Sequence, residues 1–454
     1  MKKIIAMLLV LTMVFAFAAC AEQEDKPTTK APAGNTKPVT DPTTSSNPNG
    51  DNNVSVMSYA EYMAAEMGTI VCVEFYVQAT QSWWDNKITI YGQTAEGGYF
   101  SYETVCTEEM AAKLVPGTKV RVTGEKGTWG GEIEVMNGEI EIIDGDSWIA
   151  EPLDVTVLLG SEDLILHQNK KVIFKGLTIE SIEYKNGEPG DDIYVTFGFQ
   201  GASYSFCVER YLTGPETDLY KSFETLQVGD VVNVEGFLYW YEGVNTHITA
   251  ITPYTNAHDA YLSAEEGTEV TVEFYVQATQ SWWDNKITIY GQTAEGGYFA
   301  YETVCSEEDA AKLVPGTLIR VTGERGSWGG EIEVMYGTFE FVDGINWIAP
   351  AVDMTDLLGT DELIKHQNEK ASFKGLTIVS ITYKNGEPGD DIYVEVSYNG
   401  VNYNFCVERY LTGPETDVYK AFESLKAGDV VDIEGFVYWY EGVNTHITSI
   451  KVAG

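Results

Sequence analysis

Tryptophan residues stand in short polar loops at positions that recur 199 residues apart along the chain. The tryptophans of this first set are Trp83, Trp84, Trp129 and their counterparts Trp282, Trp283 and Trp328. An indole ring has a flat apolar face and a polar edge, which suits stacking on a sugar or a base. The chemistry predicted from these residues is recognition by stacking, with no reactive group required.

A second aromatic set lies further along each copy. Its members are the two triplets Tyr239, Trp240, Tyr241 and Tyr438, Trp439, Tyr440. We predict that both sets form ligand-binding rims. Tryptophan is usually largely buried in folded proteins, so the alternative is that these rings pack one domain against another.

No residue pattern predicts catalysis or a cofactor. The histidines are isolated and match neither zinc spacing nor a Ser-His or Cys-His arrangement; they are His167, His247, His258, His366 and His446. The turn from Glu188 to Asp192 could offer oxygen ligands, but it is interpreted as a solvated turn. We therefore expect no enzyme activity, no catalytic residues, no metal site and no cofactor.

Two pairs of cysteines occupy equivalent positions, Cys106 with Cys207 and Cys305 with Cys406. Disulfides are permitted in an exported protein. Each cysteine ends the third strand of its own predicted barrel, so a bridge requires two barrels to meet there. The sequence leaves open whether these pairs are bridged.

The elements that position the aromatic residues come in two copies, at 57–255 and 256–454. Between Cys72 and Val105 the second copy differs only at Thr271 and Ala300, whereas the stretch from Asn137 to Glu183 diverges strongly. Loops that resist change indicate contact with a partner. Recent duplication or gene conversion is the alternative explanation. Tandem delivery of one unit suits a repetitive target.

The N-terminus indicates export. Lys2 and Lys3 precede an apolar run that is too short to span a bilayer comfortably and that suits a secretory signal. The junction Phe17-Ala18-Ala19-Cys20 resembles the lipobox of bacterial lipoproteins, although Phe17 replaces the usual leucine. That resemblance implies lipidation of Cys20 and an outward-facing protein anchored to the bacterial cell membrane through this lipid alone. Residues 21–56 are rich in Pro, Thr, Asn and Ser, and we predict a disordered linker.

The formal net charge of −41 predicts a strongly acidic surface. Such a surface repels nucleic acid phosphates and anionic lipid, so we expect nucleic acid to be an unlikely partner. A charge excess is also the ordinary state of a solvated surface. The charge is compatible with neutral partners.

Alternating apolar residues predict a mostly β fold. Val71, Val73 and Phe75 alternate with polar residues, and each half of the 199-residue unit repeats the order strand, strand, strand, helix, strand, strand. This order resembles the OB-fold, and the chain resembles a bacterial surface lipoprotein with four tandem OB-like five-stranded Greek-key barrels carrying short helices. The predicted segments are a signal at 1–19, a lipidated linker at 20–56 and barrels at 57–149, 150–255, 256–348 and 349–454.

The resemblance implies where a ligand would bind. OB-folds use a face bordered by the loop between strands 1 and 2 and the loop between strands 4 and 5, and the aromatic sets fall in those loops. The leading hypothesis is a non-catalytic surface protein that binds a neutral polymer, a glycan or envelope polymer. The first alternative is a structural envelope scaffold with aromatics in interdomain packing. The second is single-stranded nucleic-acid binding.

Overall fold

A computed structural model describes residues 55–452 of the chain. The predicted signal at 1–19, Cys20 and almost all of the predicted linker lie outside the described residues. Met57–Gly454 forms one compact unit. Within residues 55–452, no helix is long and apolar enough to cross a membrane.

The first barrel is a closed ring of five strands. Its elements in chain order are α1 (Tyr59–Ala64), β1 (Ile70–Thr80), β2 (Lys87–Gln93), β3 (Gly98–Val105), α2 (Glu108–Ala111), β4 (Lys119–Trp129) and β5 (Glu132–Ile142). The strands pair in the order β1-β2-β3-β5-β4, and β4 returns to β1. Only the β3–β5 pairing within this ring is parallel. This is the Greek-key order of an OB-like barrel.

The second barrel has the same ring with one added edge strand. Its elements are β6 (Leu153–Asp154), 3-10 turns at Thr156–Leu158 and Glu162–His167, β7 (Lys171–Tyr184), β8 (Ile193–Phe199), β9 (Ala202–Val208), α3 (Asp218–Ser222), β10 (Val231–Phe237) and β11 (His247–Pro253). Pairing of β10 with β7 closes the ring, and β6 runs parallel to β7 outside it.

The third and fourth barrels repeat the first and second. The third contains α4 (Ala257–Ser263), β12 (Glu269–Thr279), β13 (Lys286–Gln292), β14 (Gly297–Val304), α5 (Glu307–Ala310), β15 (Leu318–Trp328) and β16 (Glu331–Phe341). The fourth contains β17 (Val352–Asp353), 3-10 turns at Thr355–Leu357 and Leu363–His366, β18 (Lys370–Tyr383), β19 (Ile392–Tyr398), β20 (Val401–Val407), α6 (Asp417–Ala421), β21 (Val430–Phe436) and β22 (His446–Val452). The predicted fold class of four tandem OB-like barrels is confirmed.

Each barrel is filled from the alternating side of its strands. Val71, Val73 and Phe75 of β1 are fully buried. The ring of Phe75 lies across Gly92 of β2, where an added Cβ would overlap it. Side chains on alternate positions of a strand point to opposite faces, so burial of this set leaves the other set on the outer surface of the barrel. What covers that outer surface differs between odd and even barrels.

The sequence pattern predicts a helix after the third strand of each barrel, from Glu108 to Leu114 in the first and over 217–226 in the second, and both are present but shorter. The helix predicted from Glu108 to Leu114 spans Glu108–Ala111, and Thr107 caps it by accepting a hydrogen bond from the backbone N–H of Met110. The helix predicted over 217–226 spans Asp218–Ser222. Isolated helices this short are unstable, so contact with the barrels must hold these turns in place.

Candidate functional site

The outer face of β2 and β3 in the first barrel is covered by the second barrel. Tyr91 and Phe100 form a buried cluster with Phe237. The rings of Tyr91 and Phe237 stack with centroids 4.6 Å apart. The Tyr91 hydroxyl lies 2.6 Å from Nδ1 of His247, which is also buried. These contacts join the two barrels through packed rings and one buried hydrogen bond.

The third and fourth barrels are joined in the same way. Tyr290 stacks on Phe436 at 4.6 Å, and its hydroxyl lies 2.6 Å from Nδ1 of His446. Burial lowers the pKa of His446 to about 3. The imidazole is therefore neutral, and its tautomer decides whether the tyrosine hydroxyl or Nδ1–H is the donor. In both odd barrels, the strand face that OB-folds use for ligands serves instead for contact between barrels.

Buried carboxyl groups lie at the same interfaces. Glu132 is fully buried, and its Oε2 accepts a hydrogen bond of 2.8 Å from the backbone N–H of Trp240 in the next barrel. Glu331 is the counterpart and accepts from the N–H of Trp439 at 2.7 Å. Burial raises the pKa of Glu331 to about 8 and that of Glu333 to about 7. These carboxyl groups have the spacing of outward-facing strand residues, so the sequence pattern does not predict their burial.

The loop between β1 and β2 separates its two tryptophans. Asp85 and Asn86 both have positive φ, so Trp84 and Lys87 flank a tight two-residue hairpin. Trp84, at the edge of this hairpin, is 49% exposed. Trp83 is half-buried against the barrel core, and its Nε1 donates to the carbonyl oxygen of Cys106 at 3.0 Å. Trp83 is therefore a packing residue, and Trp84 presents the surface ring of this loop.

The second copy repeats this division. Trp282 donates from Nε1 to the carbonyl oxygen of Cys305 at 2.8 Å, and Trp283 is 53% exposed. The amino group of Lys286 lies 5.5 Å from the centre of the Trp283 ring. One exposed tryptophan per copy thus stands at this loop.

The hairpins between strands 4 and 5 of neighbouring barrels meet and form an aromatic pair. Trp129 of the β4–β5 hairpin is 53% exposed, and its ring centroid lies 6.4 Å from that of Tyr241 on the β10–β11 loop. The N–H of Glu242 donates to the carbonyl oxygen of Gly130. Gly130 has a φ of +58°, and an added Cβ would lie 2.5 Å from the Tyr241 ring. Glycine is therefore required for this close approach.

The same pair forms 199 residues later. Trp328 is 62% exposed and Tyr440 is 46% exposed, with ring centroids 6.4 Å apart and planes inclined by 29°. We call Trp129 with Tyr241, and Trp328 with Tyr440, the ring pairs. Each ring pair combines one residue from an odd barrel with one from the even barrel that follows it.

The remaining aromatic residues of the predicted rims pack inside the barrel contacts. Tyr239 stacks on His247 at 4.3 Å, and Tyr438 stacks on His446 at 4.2 Å. Trp240 and Trp439 pack against the cores of the second and fourth barrels. Of the twelve predicted rim residues, six pack and six stand at the surface in whole or in part. The surface residues are Trp84, Trp129, Tyr241, Trp283, Trp328 and Tyr440.

The strand face of the even barrels differs from that of the odd barrels because it remains open. Ser203 and Ser205 of β9 are exposed, and Thr196 of β8 beside them is half-buried. In the fourth barrel, Tyr393 is 45% exposed and Asn402 is also exposed. These faces are polar. The loops that hold Tyr241 and Tyr440 belong to the type that borders the ligand face of an OB-fold.

The other sequence candidates lie in ordinary structural positions. Cys106 and Cys305 are both buried without a disulfide, so the structure contains neither of the suggested bridges. In the described part of the chain, no group of three or more His, Cys, Asp or Glu side chains is placed to hold a metal ion. Asp192 of the acidic turn bonds to Lys185 at 3.1 Å.

Comparison with known proteins found distant structural matches. No protein-family model matches this sequence, and no curated protein matches it. A replication protein A heterotrimer solved with single-stranded DNA is 8% identical, over 85% of this chain and 94% of its own, with a TM-score of 0.20. A murine DNA-binding protein solved with double-stranded DNA is 11% identical, over 38% of this chain and 100% of its own, with a TM-score of 0.17.

A third similar structure is the p204 HINb domain, which is 12% identical over 37% of this chain and 96% of its own, with a TM-score of 0.16. By its strand order, the chain is a tandem array of small OB-like barrels. Proteins solved with DNA are among these structural matches, contrary to the expectation from net charge that nucleic acid is an unlikely partner. Net charge describes the whole surface and leaves the chemistry of a single face undetermined.

Proposed function

We propose that this chain is a non-catalytic, lipid-anchored surface protein that binds a linear polymer through its two ring pairs. The observation that carries the proposal is the surface placement of Trp129 and Trp328, each beside a tyrosine of the next barrel. Large exposed aromatic rings at a recurring position are typical of a recognition surface. Two such pairs on one chain would raise the effective concentration of the second contact after the first has formed.

A glycan is the first candidate for the polymer. The two loops that form the first ring pair, 127–131 and 239–243, contain no lysine or arginine. Lys126 directly precedes the first of these loops, but it is buried and its amino group donates to the carbonyl oxygens of Tyr62, Met63 and Ala65. Uncharged sugar rings stack on apolar faces, and the ring pair supplies such faces without basic side chains.

Single-stranded nucleic acid is the second candidate. Stacking of successive bases on aromatic side chains is the usual mode of sequence-tolerant single-strand binding, and the ring pairs offer such surfaces. Backbone phosphates would then have to be met by cations outside the two loops, and the affinity would fall steeply with salt. The salt dependence of binding therefore distinguishes the two polymers.

Removing the ring pairs is expected to abolish polymer binding while the fold is retained. Trp129→Ala with Tyr241→Ala removes one pair, and Trp328→Ala with Tyr440→Ala removes the other. Each stacking ring contributes about 1 to 3 kcal/mol to binding, by analogy with base stacking. Affinity gel electrophoresis in neutral polysaccharides, and titration of a fluorescent oligo-dT, would measure the loss for each polymer.

The matched control is Trp84→Ala with Trp283→Ala, which removes exposed rings outside the ring pairs. Losing both pairs should weaken binding by more than the two single-pair losses suggest. Unchanged polysaccharide and oligonucleotide binding in the four-residue variant would exclude the ring pairs as the binding site. Their role would then be limited to contact between barrels.

Anchoring through Cys20 is expected to determine where the protein resides. In a bacterial host, Cys20→Ser should abolish incorporation of labelled fatty acid and shift the chain from the membrane fraction to the soluble exported fraction. More than one acyl chain is needed for stable anchoring, so loss of the lipid should release the protein almost completely. Membrane retention of the serine variant would contradict the lipoprotein assignment.

A further inference from the structure

The junction between the second and third barrels is an apolar interface. Tyr275 and Ile345 of the third barrel are 5% and 8% exposed, and both belong to the buried cluster that forms the core of the second barrel. Leu318 and Trp347 pack against the same cluster. This set of third-barrel residues, here called the acceptor face, lies on the outside of its own barrel. Its burial follows from contact with the second barrel.

The second barrel contributes the opposite face. Leu153 and Val157 are half-buried and pack against the same cluster. Lys175 bonds to Asp154 at 2.8 Å, and the charges of Glu273 and Glu295 from the third barrel help to raise its pKa. We call the residues 153, 154, 157 and 175 the donor face. The junction thus pairs an apolar centre with a lysine among carboxylates.

Because the chain is a duplication, it carries a second acceptor face on the first barrel. Lys119 stands there in place of Leu318, and Asp146 stands in place of Ile345. Asp146 is exposed, whereas Ile345 is buried. Tyr76 keeps the identity of Tyr275, and its ring packs edge-on against Trp148. The two altered positions of this face are both charged.

A second donor face lies on the fourth barrel, where Asp356 replaces Val157. Val352 is 49% exposed there, although its counterpart Leu153 is half-buried. The side chain of Lys374 is 61% exposed, compared with 39% for Lys175. The Lys–Asp ion pair of the donor face is kept as Lys374 with Asp353, but an apolar residue has become a carboxylate.

We propose that the acceptor face of the first barrel and the donor face of the fourth, here called the terminal faces, are capped forms of the internal junction. Their charged residues Lys119, Asp146 and Asp356 keep two copies of this chain from joining end to end. An interface between two different faces leaves one free face at each end of the assembly. Copies without the charged residues would therefore keep adding to both ends and form an open fibre. Tandem repeat proteins require polar outer faces on their terminal repeats for the same reason. The divergence between copies therefore includes the positions where an internal face must be apolar and a terminal face charged.

The alternative explanation for these three differences is neutral drift at exposed positions. Drift does not account for the match between charge and position. Lys119 and Asp146 stand where Leu318 and Ile345 pack at the junction, and Asp356 stands where Val157 packs against the same cluster. By contrast, the strands at 72–105 change at only two positions between the copies. Two copies without these charged residues would join in the same geometry as the second and third barrels do within one chain.

The test converts the terminal faces to the internal sequence. Lys119→Leu with Asp146→Ile restores an apolar acceptor face, and Asp356→Val restores an apolar donor face, both on the chain with Cys20→Ser so that it stays in solution. Sedimentation equilibrium should show that the chain with both faces restored associates at least about tenfold more tightly than the parent and forms species longer than a dimer. A chain that remains as monomeric as the parent would refute the proposal.

Single-face variants make the test specific. The chain with a restored acceptor face and the chain with a restored donor face should each stay monomeric alone, and their equimolar mixture should form a one-to-one complex that grows no further. A third chain, carrying Glu216→Val and Glu415→Val at fully exposed sites, controls for added apolar surface. Association of the control chain, or of either single-face chain alone, to the extent seen in the mixture would mean nonspecific association through added apolar surface. That result would overturn the capped-interface proposal. Thermal melts of each variant establish that it is folded.

Discussion

Raising the pH from 5 to 8 is expected to lower the free energy of unfolding of this protein by several kcal/mol. Burial raises the pKa of Glu331 to about 8 from an ordinary value of 4.5. Between these values the unfolded chain has released the proton and the folded chain retains it, so stability falls as pH rises. At about 1.4 kcal/mol per pH unit, Glu331 alone contributes a loss of roughly 3 to 4 kcal/mol between pH 5 and pH 8. Urea unfolding at pH 5, 6, 7 and 8 measures the slope.

The matched variant for this prediction is Glu331→Gln, which keeps an oxygen acceptor for the N–H of Trp439 and removes the titration. It should flatten the pH dependence and be most stabilising relative to the parent at pH 8. Glu415→Gln, at a side chain that is 97% exposed, should leave the slope unchanged. Equal slopes in the parent and Glu331→Gln would mean that the carboxyl group is ionised in the folded protein throughout this range.

Truncating Phe436 is expected to cost about 3 to 5 kcal/mol of folding free energy, as for other large aromatic core residues. Phe436 is 2% exposed and stacks on Tyr290 of the neighbouring barrel. Phe436→Ala therefore removes ring packing and leaves a cavity beside the buried Tyr290–His446 hydrogen bond. The loss should appear in urea unfolding, and protease cleavage between the third and fourth barrels should accelerate as their contact weakens.

Phe237→Ala is the same change in the first pair of barrels and should have a similar cost. Phe341→Ala removes a phenylalanine that is 43% exposed, and its effect should be much smaller. If Phe436→Ala unfolds no more easily than Phe341→Ala, the rings between barrels contribute little to stability. The barrels would then behave as independently stable units.

The barrel fold was predictable from the sequence because its determinants are local and repeated. Alternation in β1 marked Val71, Val73 and Phe75 as inward, and the glycines and helix positions recurred in each half of the unit. Period-2 alternation separates two faces of a strand, and one of them must fill a barrel of this size. The pattern is compatible with only a few small β architectures, and the internal repeats reduced the choice further.

The contacts between barrels were not predictable in this way. Glu132 alternates with Ile133, which predicts an outward carboxylate, yet the side chain is fully buried under the second barrel. Tyr91 and Phe100 also occupy the outward side of their strands. Alternation cannot distinguish an outer face in water from one covered by a neighbour. Outward aromatic residues in the least changed stretch of the two copies were the available indication.

The surface exposure of the aromatic rings was predicted only in part. The loops that carry the aromatic residues were located correctly by the OB-like strand order, but each loop divides its rings between packing and surface. In the β1–β2 loop, adjacent tryptophans have opposite environments. The tight hairpin turns Trp84 outward and leaves Trp83 against the core. Meeting of Trp129 with Tyr241 depends on the docking of two barrels, which no local pattern encodes.

The donor and acceptor faces also bear on how the length of such a protein can change. A unit inserted between the second and third barrels would need only the apolar residues at positions equivalent to Val157, Leu318 and Ile345, and the two ends could stay as they are. Recombination between near-identical copies adds or deletes whole units in frame. Each event would alter the reach of the array and its number of ring pairs together, without any new contact between barrels having to evolve.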